Sequence, residues 1–396
     1  MVQVKDLTER TLKDRWLGVK EQFQEEVGKA VLERVWSLLN EALEEELVFH
    51  LQSTRYQRNA ERQGYRNGYR ERDLLTRYGM LERIRVPRDR EGLFQPAVLE
   101  KYQRREAKVN DMVQELFLRG ISTRKVQEAV RPLFDEGISA QTVSRICFSL
   151  SQKVEAYHRR QLVDRYLYLF LDGITLKVKN AGKVETRLAL CAYGITFMGT
   201  RELISFRQAN AESESQWEAF LRDLYDRGLT GESLRLITID GCPGLRRALD
   251  TVYPYVEVQR CWAHKLRNVA SKLPRRHQEA CLAGARAIYL SKTQREAVNN
   301  FRLWAAEWRA LAPNAVKCIE DDLGELLTFL KWPSSHWPKI RTTNAIERAF
   351  REVRRRTRPM TCFQNKESVD RIIYGVINHL NQSWREKPLD QFTHLS

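Results

Sequence analysis

The stretch YLYLFLDGI, residues 166–174, decides the fold class, because it lies in a run rich in apolar and aromatic residues, 166–178, that an Asp-Gly pair ends or interrupts. Such a run is typical of a buried β-strand. Two further runs, 184–195 and 202–208, have the same character, and a helical pattern at 215–227 precedes a fourth apolar run at 234–239. Three successive strands, a helix and another strand predict an α/β domain.

The chain beyond these strands is mainly helical in pattern. Residues 245–338 carry apolar side chains at helical spacing almost throughout. One wide stripe, which we interpret as core, consists of Ala297, Phe301, Trp304, Trp308 and Leu311. A further helix, headed by Thr343 and Asn344, carries Glu347 and the run Arg354-Arg355-Arg356.

The composition excludes several classes of protein. The 396-residue chain is 42% hydrophobic and 10% aromatic, which excludes a disordered chain or a disulfide-stapled miniprotein. Its seven cysteines include no C-x-x-C pair and favour reduced thiols over disulfides or structural zinc. The N-terminus has no secretory pattern, and the longest apolar run, which ends at Leu171, is too short to cross a membrane. We therefore expect a cytoplasmic protein without a membrane partner.

The positive charge is concentrated in two stretches. The whole chain carries 67 Lys and Arg against 51 Asp and Glu, a net charge of +16. Residues 51–110 hold 15 basic and 8 acidic side chains, and residues 339–358 hold 8 and 2. One basic run is often only the solvated face of a helix, but two such runs favour a polyanion as partner. The charge distribution therefore predicts nucleic acid binding.

The N-terminal hundred residues fall into two patterns. Residues 11–50 have apolar side chains at spacings of three or four, which predicts a long amphipathic helix, unbroken or broken once. Its apolar face fits either packing within its own domain or a dimer contact, and the sequence does not distinguish these roles. Residues 64–96 are punctuated by glycine and proline and predict a small, basic, partly extended element.

Residues 106–158 contain a short internal repeat, in which Gly120-Ile121-Ser122 recurs as Gly137-Ile138-Ser139. Each Gly can end one helix and each Ser can cap the next, so three short helices are predicted, the last beginning near Ser139. This layout fits a helix-turn-helix whose last helix exposes Gln141, Thr142, Ser144 and Arg145. Three-helix packing without DNA binding is the alternative, and the net charge favours DNA contact.

Three acidic residues are candidates for chemistry. Asp172 and Asp240 each follow an apolar run and precede Gly, which by itself indicates a turn. Glu347 by itself fits a capping box. Together, three carboxylates from two strands and a helix can hold two divalent cations, which activate an attacking oxygen and stabilise a leaving oxygen in phosphodiester chemistry. Because the carboxylates repel one another, metal should be obligatory.

These motifs resemble those of mutator-type transposases of bacterial insertion sequences, which carry an Asp-Asp-Glu triad on a ribonuclease H-like fold. The resemblance runs nearly end to end. GYRNG (64–68), VPRDR (86–90), Gly92-x-Phe94-x-Pro96 and the two Gly-Ile-Ser repeats resemble the family's N-terminal motifs. The most specific match is TTNAIER (342–348), followed by RRRTR (354–358).

The resemblance implies a particular chemistry. Asp172, Asp240 and Glu347 would be the catalytic residues and would bind two Mg²⁺ ions, for which Mn²⁺ can substitute. Water would cleave the phosphodiester at the tip of the element, and the freed 3′-hydroxyl would then attack a second phosphodiester. The implied partners are double-stranded DNA, as terminal inverted repeats and target, and a second copy of the chain in a homodimer. The implied location is the bacterial cytoplasm, in association with the nucleoid.

The resemblance also implies which residues contact DNA. These are Arg66, Arg70, Arg88, Arg124, Gln141, Thr142, Arg145, Arg348, Arg351, Arg354, Arg355 and Arg358. Cys261 and His264 match a C-x-x-H element that the family carries after the second acid. No second pair of zinc ligands is evident, so we assign this element to structure or to positioning of the DNA end.

The implied architecture is an α/β ribonuclease H-like catalytic core, interrupted by an all-α insertion and preceded by a mainly α-helical DNA-binding region with a helix-turn-helix. The expected segments are an N-terminal helical part with a dimer contact as one role (1–50), a basic partly extended element (51–105), the helix-turn-helix (106–160), the first part of the core (161–244), the helical insertion (245–338) and the C-terminal part of the core (339–396).

Two other classes of protein fit some of these features. One is a DNA-binding regulator in which the same fold has lost catalysis; the presence of all three acids argues against it. The other is a nuclease that hydrolyses DNA but never joins strands. Only products of strand joining distinguish that nuclease from a transposase.

Overall fold

The computed structural model describes residues 2–119, 121, 123–131, 138–180, 183–357 and 366–393. The chain divides into two units, Met1–Phe148 and Ser149–Ser396. Within the described residues, none of the helices combines the length and the apolar character needed to cross a membrane.

The first unit begins with a single long helix and a hairpin. Helix α1 (Val2–Leu51) is unbroken, as the spacing of its apolar residues allowed. Strands β1 (Arg66–Thr76) and β2 (Gly79–Asp89) pair antiparallel, which confirms the extended element predicted from the glycines and prolines. Gly79 closes the turn between the strands with a φ of +133°, a conformation that favours glycine.

The two halves of α1 differ in their surroundings. The second half packs on the hairpin, where Leu43 joins a buried cluster with Leu74, Leu81 and Ile84. The Trp36 indole also donates a hydrogen bond of 2.9 Å to the Glu82 carbonyl. Before Ala30, by contrast, the apolar side chains of Leu17, Val19, Phe23 and Val27 are exposed. Packing within the unit therefore does not cover these four apolar side chains.

Three helices complete the first unit, α2 (Ala107–Leu118), α3 (Thr123–Val130) and α4 (Ala140–Phe148). Their valines and isoleucines form one buried cluster. The Ser139 hydroxyl accepts a hydrogen bond of 3.2 Å from the Thr142 amide, so Ser139 caps α4 as predicted. Gly120, Ser122 and Gly137 of the Gly-Ile-Ser repeat lie outside the described residues.

The second unit is built on a five-stranded sheet. Its elements up to the last strand are α5 (Leu150–Arg159), β3 (Tyr166–Asn180), β4 (Lys183–Thr196), β5 (Arg201–Ala209), α6 (Glu214–Asp226), β6 (Leu236–Ile239), α7 (Pro243–Val252) and β7 (Glu257–Arg260). The strand order is β5-β4-β3-β6-β7. Strands β3, β4 and β5 form an antiparallel meander, whereas β6 and β7 run parallel to β3. The predicted strand–helix–strand pattern is confirmed.

Helices follow the sheet to the end of the chain. They are α8 (Trp262–Ser271), α9 (Arg275–Leu290), α10 (Gln294–Trp308), α11 (Pro313–Glu320), α12 (Leu323–Leu326), a 3-10 turn (Thr328–Lys331), α13 (Trp337–Ile340), α14 (Asn344–Thr357), α15 (Lys366–Arg385) and α16 (Asp390–Thr393). Two details differ from the sequence prediction for this region. Residues 245–338 also contain β7, and Leu311 is exposed because α10 ends at Trp308, before that residue.

Helices cover both faces of the sheet. On one face, Trp217 and Phe220 of α6 and Leu245 of α7 pack against buried strand residues. On the other face, the Trp384 ring of α15 lies edge-on to Tyr193 of β4, with ring centroids 5.5 Å apart. The sheet is therefore the middle layer of three. The middle strand β3 and its neighbour β6 lie within this layer.

Candidate active site

Asp172 lies within the central strand of the sheet. It pairs with Cys191 of β4, and β3 continues beyond it to Asn180. The Asp-Gly pair is therefore not a turn. At Gly173, an added Cβ would lie only 2.6 Å from an oxygen of Glu212, so the Glu212 carboxylate closely approaches the strand beside Asp172.

Asp240 lies beside Asp172 because of the strand register. Strands β3 and β6 are parallel and Leu171 is opposite Ile239, so the two aspartates occupy the next position on neighbouring strands. One carboxylate oxygen of Asp240 accepts hydrogen bonds from the amides of Gly241, at 2.7 Å, and Cys242, at 2.9 Å. These bonds hold the second acid at the end of β6.

Glu347 reaches the same edge of the sheet through the segment that precedes α14. The Thr238 hydroxyl of β6 donates a hydrogen bond of 2.7 Å to the Ile340 carbonyl, and the Trp262 amide donates one of 3.0 Å to the Arg341 carbonyl. The apolar face of α14, including Ile346, is buried. The start of α14 is therefore fixed beside β6 and α8.

The three acids act on one another. Burial, together with the charges of Asp240, Glu347 and Glu212, raises the pKa of Asp172 to about 7, against a hydrogen bond of 2.8 Å from the Gly173 amide. The Asp172 side chain is 7% exposed. In the absence of a cation, ionising all the acidic groups of the site near neutral pH therefore costs free energy.

His264 of α8 lies at this site as well. One ligand atom each of Asp172, His264 and Glu347 lie within 4.8 Å of one another. The imidazole Nε2 is 3.5 Å from Glu347 Oε1. Burial, with the nearby Arg267 guanidinium, lowers the pKa of His264, which favours a neutral ring.

Cys261 links the starts of two helices. Its sulfur is 3.2 Å from the Thr343 amide and 3.3 Å from the Thr343 hydroxyl, and that hydroxyl is also 3.3 Å from His264 Nδ1. Cys261 immediately precedes α8, and Thr343 immediately precedes α14. The C-x-x-H element thus holds the helix that carries Glu347 against the helix that carries His264.

The contacts of Glu347 do not match the capping box that fitted its sequence position. Thr343 precedes the helix, so Glu347 is the fourth helical residue rather than the third. Its carboxylate contacts the Arg267 guanidinium and approaches His264. The side chain is therefore directed towards α8 and the paired aspartates.

Sequence reasoning missed two residues at this site. Glu212 lies in a polar loop between β5 and α6, where no local signal distinguishes it from a turn residue; burial and Asp240 raise its pKa. Arg267 follows His264 by three positions, so on a helix the two share a face. That spacing was an available signal for Arg267, whereas nothing local indicated Glu212.

The predicted DNA contacts on α14 are mostly exposed. Exposed side chains there are Arg348, Arg351, Arg354 and Arg355. Arg355 is 2.9 Å from a carboxylate oxygen of Glu352, and the buried Arg356 is 2.6 Å from the same oxygen. Arg358 lies outside the described residues. The described part of α14 therefore presents a row of guanidinium groups beginning directly after Glu347.

The predicted DNA contacts of the first unit are exposed with two exceptions. Exposed side chains are Arg70, Arg88, Arg124, Gln141 and Arg145. Thr142 is half-buried, and Arg66 is paired with Glu44 at 2.6 Å. A groove of about 1050 Å³ is lined by Arg70 and Arg88 of the hairpin and by Thr142 of α4. This groove is the candidate nucleic-acid interface of the unit.

Comparison with known proteins identifies the family. A family model described as "Transposase, Mutator family" matches residues 7–387. The chain is 35% identical over 354 residues to the transposase for insertion sequence element ISRM5 of Rhizobium meliloti, which covers 89% of this chain and 88% of the relative. It is 32% identical over 370 residues, 92% of this chain and 93% of the relative, to the transposase for insertion sequence element IS256 in transposon Tn4001 of Staphylococcus aureus. The chain belongs to the Mutator family of transposases.

Proposed function

We propose that this chain moves an insertion sequence: it binds the terminal inverted repeats and catalyses metal-dependent DNA cleavage followed by strand transfer. The observation that carries the proposal is the convergence of Asp172, Asp240 and Glu347, which lie on two neighbouring strands and a helix. An antiparallel meander extended by two parallel strands, with helices on both faces, supports a ribonuclease H-like core. The three acids are the proposed catalytic residues.

The donor set fits a hard divalent cation. Asp172, Asp240 and Glu347 offer carboxylate oxygens, the ligands that Mg²⁺ and Mn²⁺ prefer. Burial and the neighbouring acids raise the pKa of Asp172, so bound cations would compensate its charge. When bound there, Mg²⁺ or Mn²⁺ would activate the attacking oxygen and stabilise the leaving one. We propose two ions, held by the three acids.

The chain's own residues bind and align the DNA. Arg348 and Arg351 follow Glu347 on α14 and would hold backbone phosphates, because guanidinium groups bind phosphate oxygens in bidentate fashion. The carboxylate of Glu347 would orient the attacking group: water in the first step and the freed 3′-hydroxyl in the second. No side chain is needed as a covalent nucleophile, so the 3′-hydroxyl made by cleavage remains available for joining.

The first unit would select the element's ends. Helices α2, α3 and α4 support a helix-turn-helix in which Gln141 and Arg145 at the start of the last helix contact base edges. Arg70 and Arg88 in the groove would contact phosphates. Two ends must be processed together, so a homodimer belongs to the proposal, as does action on DNA in the bacterial cytoplasm.

The test is an assay on labelled DNA that carries the element's own ends, with Mg²⁺ or with EDTA, comparing the wild type and Glu347→Ala. We expect Mg²⁺-dependent nicking at the tip and joined products from the wild type. The variant should bind the same DNA with unchanged affinity and give neither product, because it lacks one of the three acids. DNA with scrambled ends controls for non-specific cleavage.

Each of the other classes of protein gives a different result. A nuclease would give nicked DNA in Mg²⁺ without joined products at any enzyme concentration. A regulator without catalysis would bind the ends and give no product with either Mg²⁺ or Mn²⁺. Either result on verified ends would contradict the proposed function.

The proposed DNA interface of the first unit predicts a change in salt dependence. We expect Arg88→Gln to weaken binding to all DNA sequences and to lower the slope of log K against log salt by about 1, because one phosphate contact is lost. Gln141→Ala should instead reduce discrimination between the element's end and scrambled DNA, with an unchanged slope. Fluorescence anisotropy over a salt series measures both.

The control is Arg222→Gln in α6. Arg222 is exposed and paired with Glu218 on its own helix, outside the proposed interface. An equal loss of salt dependence in this control and in Arg88→Gln would show that net charge, rather than the groove, determines binding.

A further inference from the structure

The proposed metal site contains a nitrogen donor as well as carboxylates. Ligand atoms of Asp172, His264 and Glu347 all lie within 4.8 Å of one another. Ligands of one octahedral cation with bonds of about 2.1 Å lie about 3.0 Å apart when adjacent and about 4.2 Å apart when opposite. The His264 Nε2–Glu347 Oε1 distance of 3.5 Å falls within this range, and 4.8 Å, the upper limit for the whole set, is slightly beyond its widest spacing. On this spacing, and resting on the proposed function, we propose that His264 Nε2 is a direct ligand of a divalent cation held by Asp172 and Glu347.

The hydrogen bonds of His264 orient the ring for this role. Nδ1 is 3.3 Å from the Thr343 hydroxyl, and that hydroxyl is 3.3 Å from the Cys261 sulfur. When Nδ1–H donates to Thr343 and the hydroxyl donates to sulfur, Nε2 keeps its lone pair and faces Glu347. Metal-binding histidines usually have their second nitrogen held by such a partner, which fixes both tautomer and ring orientation.

Asp240 lies beside this three-atom cluster. Asp240 follows β6 and has one carboxylate oxygen engaged by two backbone amides. The charge of Asp240 acts on both Asp172 and His264, so this carboxylate lies near each of them. The three-atom cluster around His264 therefore describes one cation position with a mixed nitrogen and oxygen donor set.

The donor set has a consequence for metal preference. Imidazole nitrogen binds Mn²⁺ and later first-row metals better than Mg²⁺, which prefers oxygen ligands. We therefore expect the site to bind Mn²⁺ more tightly than Mg²⁺. The part of this preference that depends on His264 should disappear when the imidazole is removed.

The experiment uses Mn²⁺ as the probe on the full-length chain without DNA. Electron spin echo envelope modulation of bound Mn²⁺ detects the nitrogen of a coordinated imidazole. We expect nitrogen couplings in the wild type and their loss in His264→Gln, with Mn²⁺ affinity lowered about tenfold and Mg²⁺ affinity changed less. His379→Gln, an exposed histidine on α15, is the matched control and should keep the couplings.

A second variant separates ligation from positioning. Thr343→Val removes the hydroxyl beside Nδ1 while retaining the size of this buried side chain. We expect Mn²⁺ affinity to fall, by no more than in His264→Gln, while the nitrogen couplings persist, because His264 remains a ligand but is less well oriented. Thermal unfolding without metal verifies that each variant is folded.

Two outcomes would overturn the assignment: bound Mn²⁺ without nitrogen couplings in the wild type, or couplings that persist in His264→Gln. Failure of the proposed function gives a different result, because a chain without a metal site would bind no Mn²⁺ at all. Asp172→Asn serves as the reference for that case and should lose Mn²⁺ whether or not His264 is a ligand.

Discussion

Asp172→Asn is expected to lower the rates of strand cleavage and strand transfer by at least about a thousandfold, because it removes a proposed metal ligand from the centre of the site. DNA binding by the first unit should be unchanged, since Asp172 lies in the second unit. Single-turnover cleavage and anisotropy on the same DNA measure the two properties. Cleavage within tenfold of the wild-type rate would exclude Asp172 from catalysis.

The same substitution should stabilise the metal-free protein at neutral and alkaline pH. Because burial raises the pKa of Asp172 to about 7 from an ordinary value of 3.8, ionising it in the folded chain costs free energy. Below pH 3.8, the raised carboxyl pKa does not change the free energy of unfolding. That free energy falls as pH rises from 3.8 to 7. The full cost above pH 7 is about 4 kcal/mol as an upper limit, because each pH unit corresponds to about 1.4 kcal/mol.

Melting curves in EDTA at pH 5 and pH 8 test this effect. The advantage of Asp172→Asn over the wild type should be larger at pH 8 than at pH 5. Mn²⁺ should then raise the melting temperature of the wild type and leave the variant unchanged. Asp321→Asn, an exposed aspartate at the end of α11, controls for the substitution itself. Equal advantages at both pH values would contradict the raised pKa.

Glu202→Leu is expected to destabilise the second unit by about 3 kcal/mol, because it leaves two arginines without their buried partner. Glu202 is 5% exposed, and its carboxylate lies 2.8 Å from Arg160, 3.1 Å from Arg165 and 2.8 Å from the Tyr166 hydroxyl. Burial alone would raise the pKa of Glu202, but these partners outweigh it and hold that pKa below its usual value. These contacts of Glu202 connect the end of α5 and the start of β3 to β5.

A surface ion pair provides the contrast. Glu218→Leu breaks the pair with Arg222 on α6, whose arginine side chain is 58% exposed, and such pairs contribute at most about 0.5 kcal/mol. In thermal unfolding of the full-length chain, Glu202→Leu should lower the midpoint by about 6–12 °C and Glu218→Leu by about 1–2 °C. Equal shifts would show that the buried network contributes no more than an exposed pair.

The lowered pKa of Glu202 also fixes the direction of its pH dependence. A depressed carboxyl pKa gives stability that is present above the ordinary pKa of 4.5 and is lost as pH falls through the lower folded value. The difference between wild type and Glu202→Leu should therefore shrink on acidification below pH 4.5. This trend is opposite in sign to that of Asp172.

Local sequence pattern determined the elements and the three acids. The apolar runs before Asp172 and Asp240 form strands, Ser139 caps its helix, and the hairpin lies where the glycines and prolines indicated. These features depend on residues a few positions apart, whose periodicity and capping chemistry are visible in a single sequence. The neighbouring positions of the two aspartates then follow once β3 and β6 pair in parallel.

Only the tertiary structure decided what surrounds those acids. Cys261 holds Thr343 across 82 positions, and Arg267 contacts Glu347 across 80. The four-residue strand β7 was concealed in a helical pattern. Contacts of this kind depend on how separate elements pack, and a local window carries no information about distant partners. The sequence therefore determined which residues are acidic and on which elements they lie, whereas packing brought His264, Glu212 and Arg267 to them.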